Sequence, residues 1–134
     1  MADSSVYPIL EPDIIKQLNR EFPDVSFMIA PDEYTLSKDR FCGVHCDMLP
    51  IQNNLGYQAT LDLNMFDTDR TRLLTVSYEV IDYLCRAHRE GLFPKIGSLK
   101  VSALPTLVRN PTSAQSPKCA LFSFDLAGHL LHKA

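Results

Sequence analysis

The clearest pattern in the chain is a strict alternation of apolar and polar residues between Gly56 and Phe66. A period of two residues is typical of a strand that buries one face and exposes the other. We therefore predict a half-exposed strand here. Its apolar positions are Tyr57, Ala59, Leu61, Leu63 and Met65, and its polar positions are Gln58, Thr60, Asp62 and Asn64.

Apolar residues at helical spacing predict two helices. The first covers Pro12 to Phe22 and ends at Pro23, because proline lacks an amide donor and disfavours helix in the residue before it. The second covers about Arg70 to His88 and ends at Gly91, which favours a left-handed cap. The apolar stripe of the first helix is Ile14, Ile15, Leu18 and Phe22, and that of the second is Leu73, Val76, Val80, Leu84 and Ala87.

Shorter apolar segments and turn-rich segments complete the predicted order α, β, β, β, α, β, β. The additional strands are Val25 to Ala30, Arg40 to Cys46, Ile96 to Leu104 and Lys118 to Leu130, with loops at Asp47 to Leu55 and Arg109 to Lys118. This order predicts an α+β fold in which a mostly antiparallel sheet is covered by a long helix, with a second helix near the N-terminus. We expect one domain over residues 1–134, with residues 1–7 flexible.

Composition narrows the class of protein. A chain of 134 residues with 46% hydrophobic and 22% charged residues can bury one core. The net charge of -3 lacks the positive excess of a nucleic-acid binder. No apolar run reaches the roughly 20 residues of a membrane span, and residues 1–10 do not resemble a secretory signal. The four sparse cysteines suit a reducing compartment.

The densest candidate chemistry lies between Phe41 and Asp47, where Cys42, His45 and Cys46 are the residue types that zinc sites use. A fourth ligand would have to come from elsewhere in the chain. In a strand, Cys42 and Cys46 point to one side and His45 to the other. We favour two small buried residues beside an exposed histidine, with no metal or cofactor; a small cytosolic metal- or thiol-dependent module stays open as the alternative. The fourth ligand of such a module would be Cys85, Cys119, His129 or His132.

Asp67 and Asp69 could act as paired carboxylates in metal binding or acid–base chemistry. They also lie where the second helix needs an N-cap and where its dipole favours negative charge. We favour capping. No nucleotide-binding or catalytic motif is present, so we expect a protein that is not an enzyme, although an α+β hydrolase without a recognisable motif is a further alternative.

The element order resembles the phage tail terminator, or tail completion, family of the lambda type. The resemblance runs from about Pro12 to Leu126 and is carried by the stretches Tyr57 to Leu63 and Ala120 to Leu126 and by the helix containing Leu73, Val80 and Leu84. It implies a structural virion protein that forms a hexameric ring, caps the tail tube, stops its polymerisation and joins it to the head connector. The implied partners are copies of itself, the tail tube protein and the head–tail connector protein. The implied place is the head–tail junction of the virion, after synthesis in the host cytoplasm.

Such a ring needs contact surfaces, and we expect them on polar positions outside the core. The polar face of the alternating strand is one candidate, and its Asp62 would suit a channel that must not grip DNA, since negative walls repel phosphate. The two turn-rich loops are the other candidates. The expected interface residues are Gln58, Thr60, Asp62, Asn64, Asn53, Asn54, Arg109, Ser113, Gln115 and Ser116.

Overall fold

The computed structural model describes residues 5–6, 8–30, 40–49, 56–108, 118–129 and 131–132. Two helices and seven strands are present in these ranges. In chain order they are β1 Ser5–Val6, α1 Glu11–Glu21, β2 Ser26–Ile29, β3 Arg40–Leu49, β4 Gly56–Asp67, α2 Arg70–Arg89, β5 Ser98–Val108, β6 Lys118–His129 and β7 Leu131–His132.

Five strands form one sheet in the order β2-β3-β4-β6-β5. Only β2 and β3 are parallel; the other neighbouring strands are antiparallel. The alternating strand β4 lies at the centre and pairs with β3 and β6 along its length. The prediction of an α+β domain with a mostly antiparallel sheet and a long covering helix is therefore confirmed. A separate pairing of β1 with β7 was not predicted.

Both helices pack on one face of the sheet. Ile14 and Leu18 of α1 are buried over β2 and β3, while the stripe of α2 is buried over β4, β5 and β6. The two helices meet where the ring of Phe22 contacts Tyr83 edge-on, with centroids 5.8 Å apart. The predicted stripe of α2 is confirmed, with Leu73, Val80 and Leu84 fully buried.

Two strands are longer than predicted. β3 continues past Cys46 to Leu49, so the first part of the predicted loop Asp47 to Leu55 is strand, because these residues pair in register with β4. β5 continues through Pro105 to Val108. Proline is tolerated there because β5 is an edge strand, and its pairing with β6 shifts register twice in this region. Residues 50–55 and 109–117 of the two predicted loops lie outside the described residues.

The ends of α2 follow local sequence signals. The Asp69 side chain caps the N-terminus by accepting a hydrogen bond of 3.1 Å from the Arg72 amide. At the other end, Gly91 has a positive φ of 81°. The amide of Leu92 donates to the Ala87 carbonyl and the amide of Gly91 to the His88 carbonyl, which is a Schellman motif. Both predicted helix ends are confirmed.

Asp67 has a different role from the capping that the sequence suggested. Its side chain is only 2% exposed, and Arg72 donates to it twice, from Nε to Oδ2 at 2.7 Å and from Nη2 to Oδ1 at 2.6 Å. The Asp69 amide donates to Oδ1 at 2.9 Å, and Nε of Arg40 lies 3.3 Å from Oδ2. This buried carboxylate therefore connects β3, β4 and the start of α2.

We expect Leu84→Ala to lower the free energy of unfolding by about 2–5 kcal/mol, because it opens a cavity beneath α2. Urea denaturation monitored by circular dichroism measures the change. Leu104→Ala removes the same atoms from a side chain that is 59% exposed and should cost far less. Equal stability of the Leu84 variant and the wild type would place this stripe outside the core.

We expect Asp67 to make the stability of the domain sensitive to acid. Burial alone raises the pKa of this carboxyl, but hydrogen bonds from Arg72 and the Asp69 amide and the charges of Arg72 and Arg40 outweigh it, so the pKa is lowered. A lowered pKa gives stability that is complete above the unfolded value of about 4 and is lost as the pH falls through the folded value.

Urea titrations between neutral and acidic pH test this expectation. Asp67→Asn should lower the stability at neutral pH and flatten the loss towards acid, because the titrating group is gone. The exposed pair of Asp13 with Lys95 provides the control, since Asp13→Asn should change the stability at neutral pH by less than about 1 kcal/mol. If Asp67→Asn loses as much stability at acidic pH as the wild type does, other carboxyls cause the acid sensitivity.

Candidate functional site

The face of the sheet opposite the helices is the candidate functional site. We call it the open face and define it by side chains of four neighbouring strands that are exposed or half-buried. These are His45, Asp47 and Leu49 of β3, Gln58, Thr60, Asp62 and Asn64 of β4, Leu121, Ser123 and Asp125 of β6, and Lys100 and Ala103 of β5.

Strand pairing arranges the polar residues of the open face in rows. In one row, Asp62 lies opposite His45 on one side and Ser123 on the other. In the next row, Thr60 lies between Asp47 and Asp125, and Asp125 in turn lies opposite Lys100. Residues directly opposite each other in antiparallel strands are close enough for their side chains to interact.

The charges in these rows are of both signs. Nε2 of His45 lies 2.8 Å from Oδ1 of Asp47, its neighbour two positions along β3 on the same face. Burial raises the pKa of Asp62; the His45 charge lowers it and the Asp47 charge raises it, with a net upward shift. Asp62 is therefore a carboxylate whose desolvation is not fully offset by its neighbours.

Two exposed leucines give the open face an apolar component. Leu121 is 41% exposed and lies between Asn64 and Thr106 in the register, while Leu49 is 40% exposed at the far end of β3. Near Leu49 the surface forms a shallow basin of about 350 Å³, whose walls include Gln58, Lys100 and Asp125. Apolar side chains among polar ones are typical of wet protein interfaces.

The structure brings four of the predicted interface residues together. Gln58 is exposed, and Thr60, Asp62 and Asn64 are half-buried, all on the same side of β4. Their part in an interface stays a prediction. The other six predicted interface residues lie outside the described residues; they are Asn53, Asn54, Arg109, Ser113, Gln115 and Ser116.

Sequence reasoning did not assign the remaining charged residues of the open face to the site. Asp125 alternates with the buried residues Phe124 and Leu126, so the pattern already marked it as a solvent-facing position. Lys100 and Asp47 have a similar local signal. Which of these residues lie beside Asp62 depends on strand order and register, and neither is visible in local periodicity.

The candidate zinc ligands do not converge in the folded chain. Cys42 is completely buried beneath the helices and Cys46 is half-buried on the same side, whereas His45 lies on the open face. Burial raises the pKa of the Cys42 thiol. Burial, followed by the charges of Glu11, Asp47 and Asp62, raises the pKa of the Cys46 thiol to about 12. Within the described ranges, no group of three or more His, Cys, Asp or Glu side chains is placed to hold a metal ion.

The sequence matches no protein-family model and no curated protein at a significant level. Neither α1 nor α2 combines the length and the apolar character that crossing a bilayer requires.

We expect Cys42 and Cys46 to be almost unreactive in the folded protein near pH 8, because a thiol with a raised pKa is protonated there and only the thiolate is a good nucleophile. Iodoacetamide labelling followed by mass spectrometry measures this at each site. The same reaction in urea is the control and should label all four cysteines. Rapid labelling of native Cys42, or one equivalent of zinc that is lost in Cys42→Ala/Cys46→Ala, would favour the metal or thiol module.

Proposed function

We propose that this protein is a structural assembly protein similar to phage tail terminators, which forms a ring at the end of the tail tube and contacts neighbouring copies through the open face. The observation that carries the proposal is the one-sided sheet. Both described helices pack on one face, and the other presents polar rows from four strands together with exposed leucines. On this proposal the protein performs no catalysis and works by occupying its partners' surfaces.

An exposed face alone is common in antiparallel sheets, so the composition of this face matters. Leu121 and Leu49 provide apolar area that association would bury. The carboxylates of Asp47 and Asp125 and the ammonium group of Lys100 allow charge pairing with a second surface. Asp62 is already partly desolvated, which suits a position inside a contact. These features support a wet, polar interface rather than a simple solvated face.

Ring formation places a further demand on the surface. A closed ring is built from heterologous contacts, in which one patch of each copy meets a different patch of the next. The open face contains groups of both charge signs. It can therefore pair with a different patch of mixed charge on the next copy, as a heterologous contact requires. The resemblance to tail terminators implies six copies, with the tail tube protein and the head–tail connector protein as the neighbours above and below.

Removing the coding sequence from the phage that carries it tests the proposed function directly. We expect tails of abnormal length that fail to join heads, because the tube is no longer capped, and electron micrographs of lysates measure tail length. Supplying the wild-type protein from a plasmid should restore normal virions and is the control. Normal virions without the gene would overturn the tail-terminator proposal.

The contact surface is tested with the charge-altering variant Gln58→Arg/Asp125→Arg. Both side chains are exposed, and solvent screens the repulsion between the new arginine at position 125 and Lys100 opposite it, so we expect the melting temperature to fall only slightly. Two added guanidinium groups on the open face should repel or obstruct the neighbouring copy and prevent ring formation. Sedimentation velocity with and without tail tubes, and complementation of the deleted gene, measure the outcome.

A matched control changes the helical side by the same amount of charge. Thr71→Arg/Glu90→Arg alters two exposed positions, one in the first turn of α2 and one at its C-cap, and should assemble normally. If the open-face variant assembles as well as the wild type, or if both variants fail equally, the open face is not the contact surface.

A further inference from the structure

A second surface lies on the helical side, where the end of α1 approaches α2. A groove of about 540 Å³ runs between them. α2 contributes side chains three and four positions apart, which form one stripe along the helix. The groove residues used below are Glu21 and Phe22 from the end of α1, and Tyr78, Glu79, Asp82, Tyr83 and Arg86 from α2.

Aromatic rings form much of this groove. The Phe22 and Tyr83 rings meet at 88°, and Tyr78, which is 50% exposed, lines the same groove. The guanidinium carbon of Arg86 lies 5.8 Å from the centre of the Tyr83 ring, within cation–π range, and its Nη1 is 3.3 Å from Oδ2 of Asp82. The groove therefore already accommodates one guanidinium group between an aromatic ring and a carboxylate.

The groove contains more negative charge than Arg86 neutralises. Glu21, Glu79 and Asp82 contribute three negative charges and Arg86 one positive charge, which leaves a net charge of -2 on the lining. In the described part of the chain, neither Glu21 nor Glu79 forms an ion pair. Arg20 lies close enough to act on Tyr83 but does not line the groove.

We propose that this groove binds an arginine-bearing extended segment of another polypeptide. A guanidinium group is planar, so an arginine of the segment can stack on the exposed Tyr78 ring, and it or the next arginine can donate two hydrogen bonds to the Glu79 carboxylate of the same lining. The compact ammonium group of lysine cannot do both as well. The proposal does not rest on the function suggested above, because the groove lies on the opposite side of the sheet from the open face.

The size of the groove limits the segment it can hold. The stripe from Thr75 to Arg86 extends about 16 Å along α2 at 1.5 Å per residue. An extended chain advances about 3.3 Å per residue, so about five residues fit. Alternate residues of an extended segment point to the same side, which places two or three arginines against the groove.

A peptide of alternating serine and arginine with three arginines is the direct probe. Fluorescence anisotropy of the labelled peptide with the full chain should give saturable binding that weakens with added salt. The equivalent lysine peptide should bind about fivefold more weakly, because it loses the stacked geometry. Failure of the arginine peptide to saturate, or equal affinity for the two peptides, would overturn the proposal.

Variants locate the binding. Tyr78→Ala and Glu79→Gln should each weaken affinity about fivefold, whereas Tyr78→Phe keeps the ring and should bind like the wild type. Arg86→Gln should strengthen binding, because it removes the resident cation from the Tyr83 ring. All three positions are exposed on α2, and circular dichroism confirms the fold of each variant.

The control for net charge is Asp13→Asn, which removes one negative charge from the first turn of α1, away from the groove. It should leave the affinity unchanged. If Asp13→Asn weakens binding as much as Glu79→Gln does, the peptide is held by the overall charge of the protein and the groove is not its site. If Arg86→Gln weakens binding, Arg86 does not compete with the peptide for the groove, and the proposal is overturned.

Discussion

The carboxylate of Asp67 is the interaction on which the arrangement of the domain depends. A buried charge is tolerated only when it is paired and hydrogen-bonded, and here two arginines and a backbone amide meet that need. Because Arg40 belongs to β3 and Arg72 to the first turn of α2, the pairing fixes where β4 ends and how α2 leaves the sheet. The apolar stripe of α2 then lies across β4, β5 and β6, and the remaining core forms beneath it.

The direction of α2 also determines which surfaces of the domain stay exposed. With both helices on one face, the polar sides of β3, β4, β6 and β5 stay accessible on the other and form the open face. The helical side has the acidic, aromatic groove that Phe22 and Tyr83 help to line. The two surfaces differ in chemistry and lie on opposite sides of the sheet. A molecule bound on one of these surfaces would therefore leave the other surface free.

The two edge strands of the five-stranded sheet, β2 and β5, are poor partners for a further strand. β2 has only four residues, and β5 contains Pro105 and two register shifts in its pairing with β6. A proline removes a backbone donor, and an irregular register bends the strand, so a second strand pairs poorly along either edge. Addition of a further strand along these edges is therefore disfavoured.

The sequence by itself determined the elements whose signals are local. The helices, the alternation of β4, the Asp69 cap and the Gly91 terminus follow from spacing and from residue types within a few positions, because helix and strand periods are properties of neighbouring residues. Four of the candidate interface residues shared a face for the same reason. Tertiary structure decided the extension of β3 to Leu49 and of β5 through Pro105, since the hydrogen bonds that sustain them come from other strands. It also decided the burial of Asp67, the rows around Asp62 and the groove, because each joins residues far apart in sequence whose meeting depends on strand order, register and helix direction.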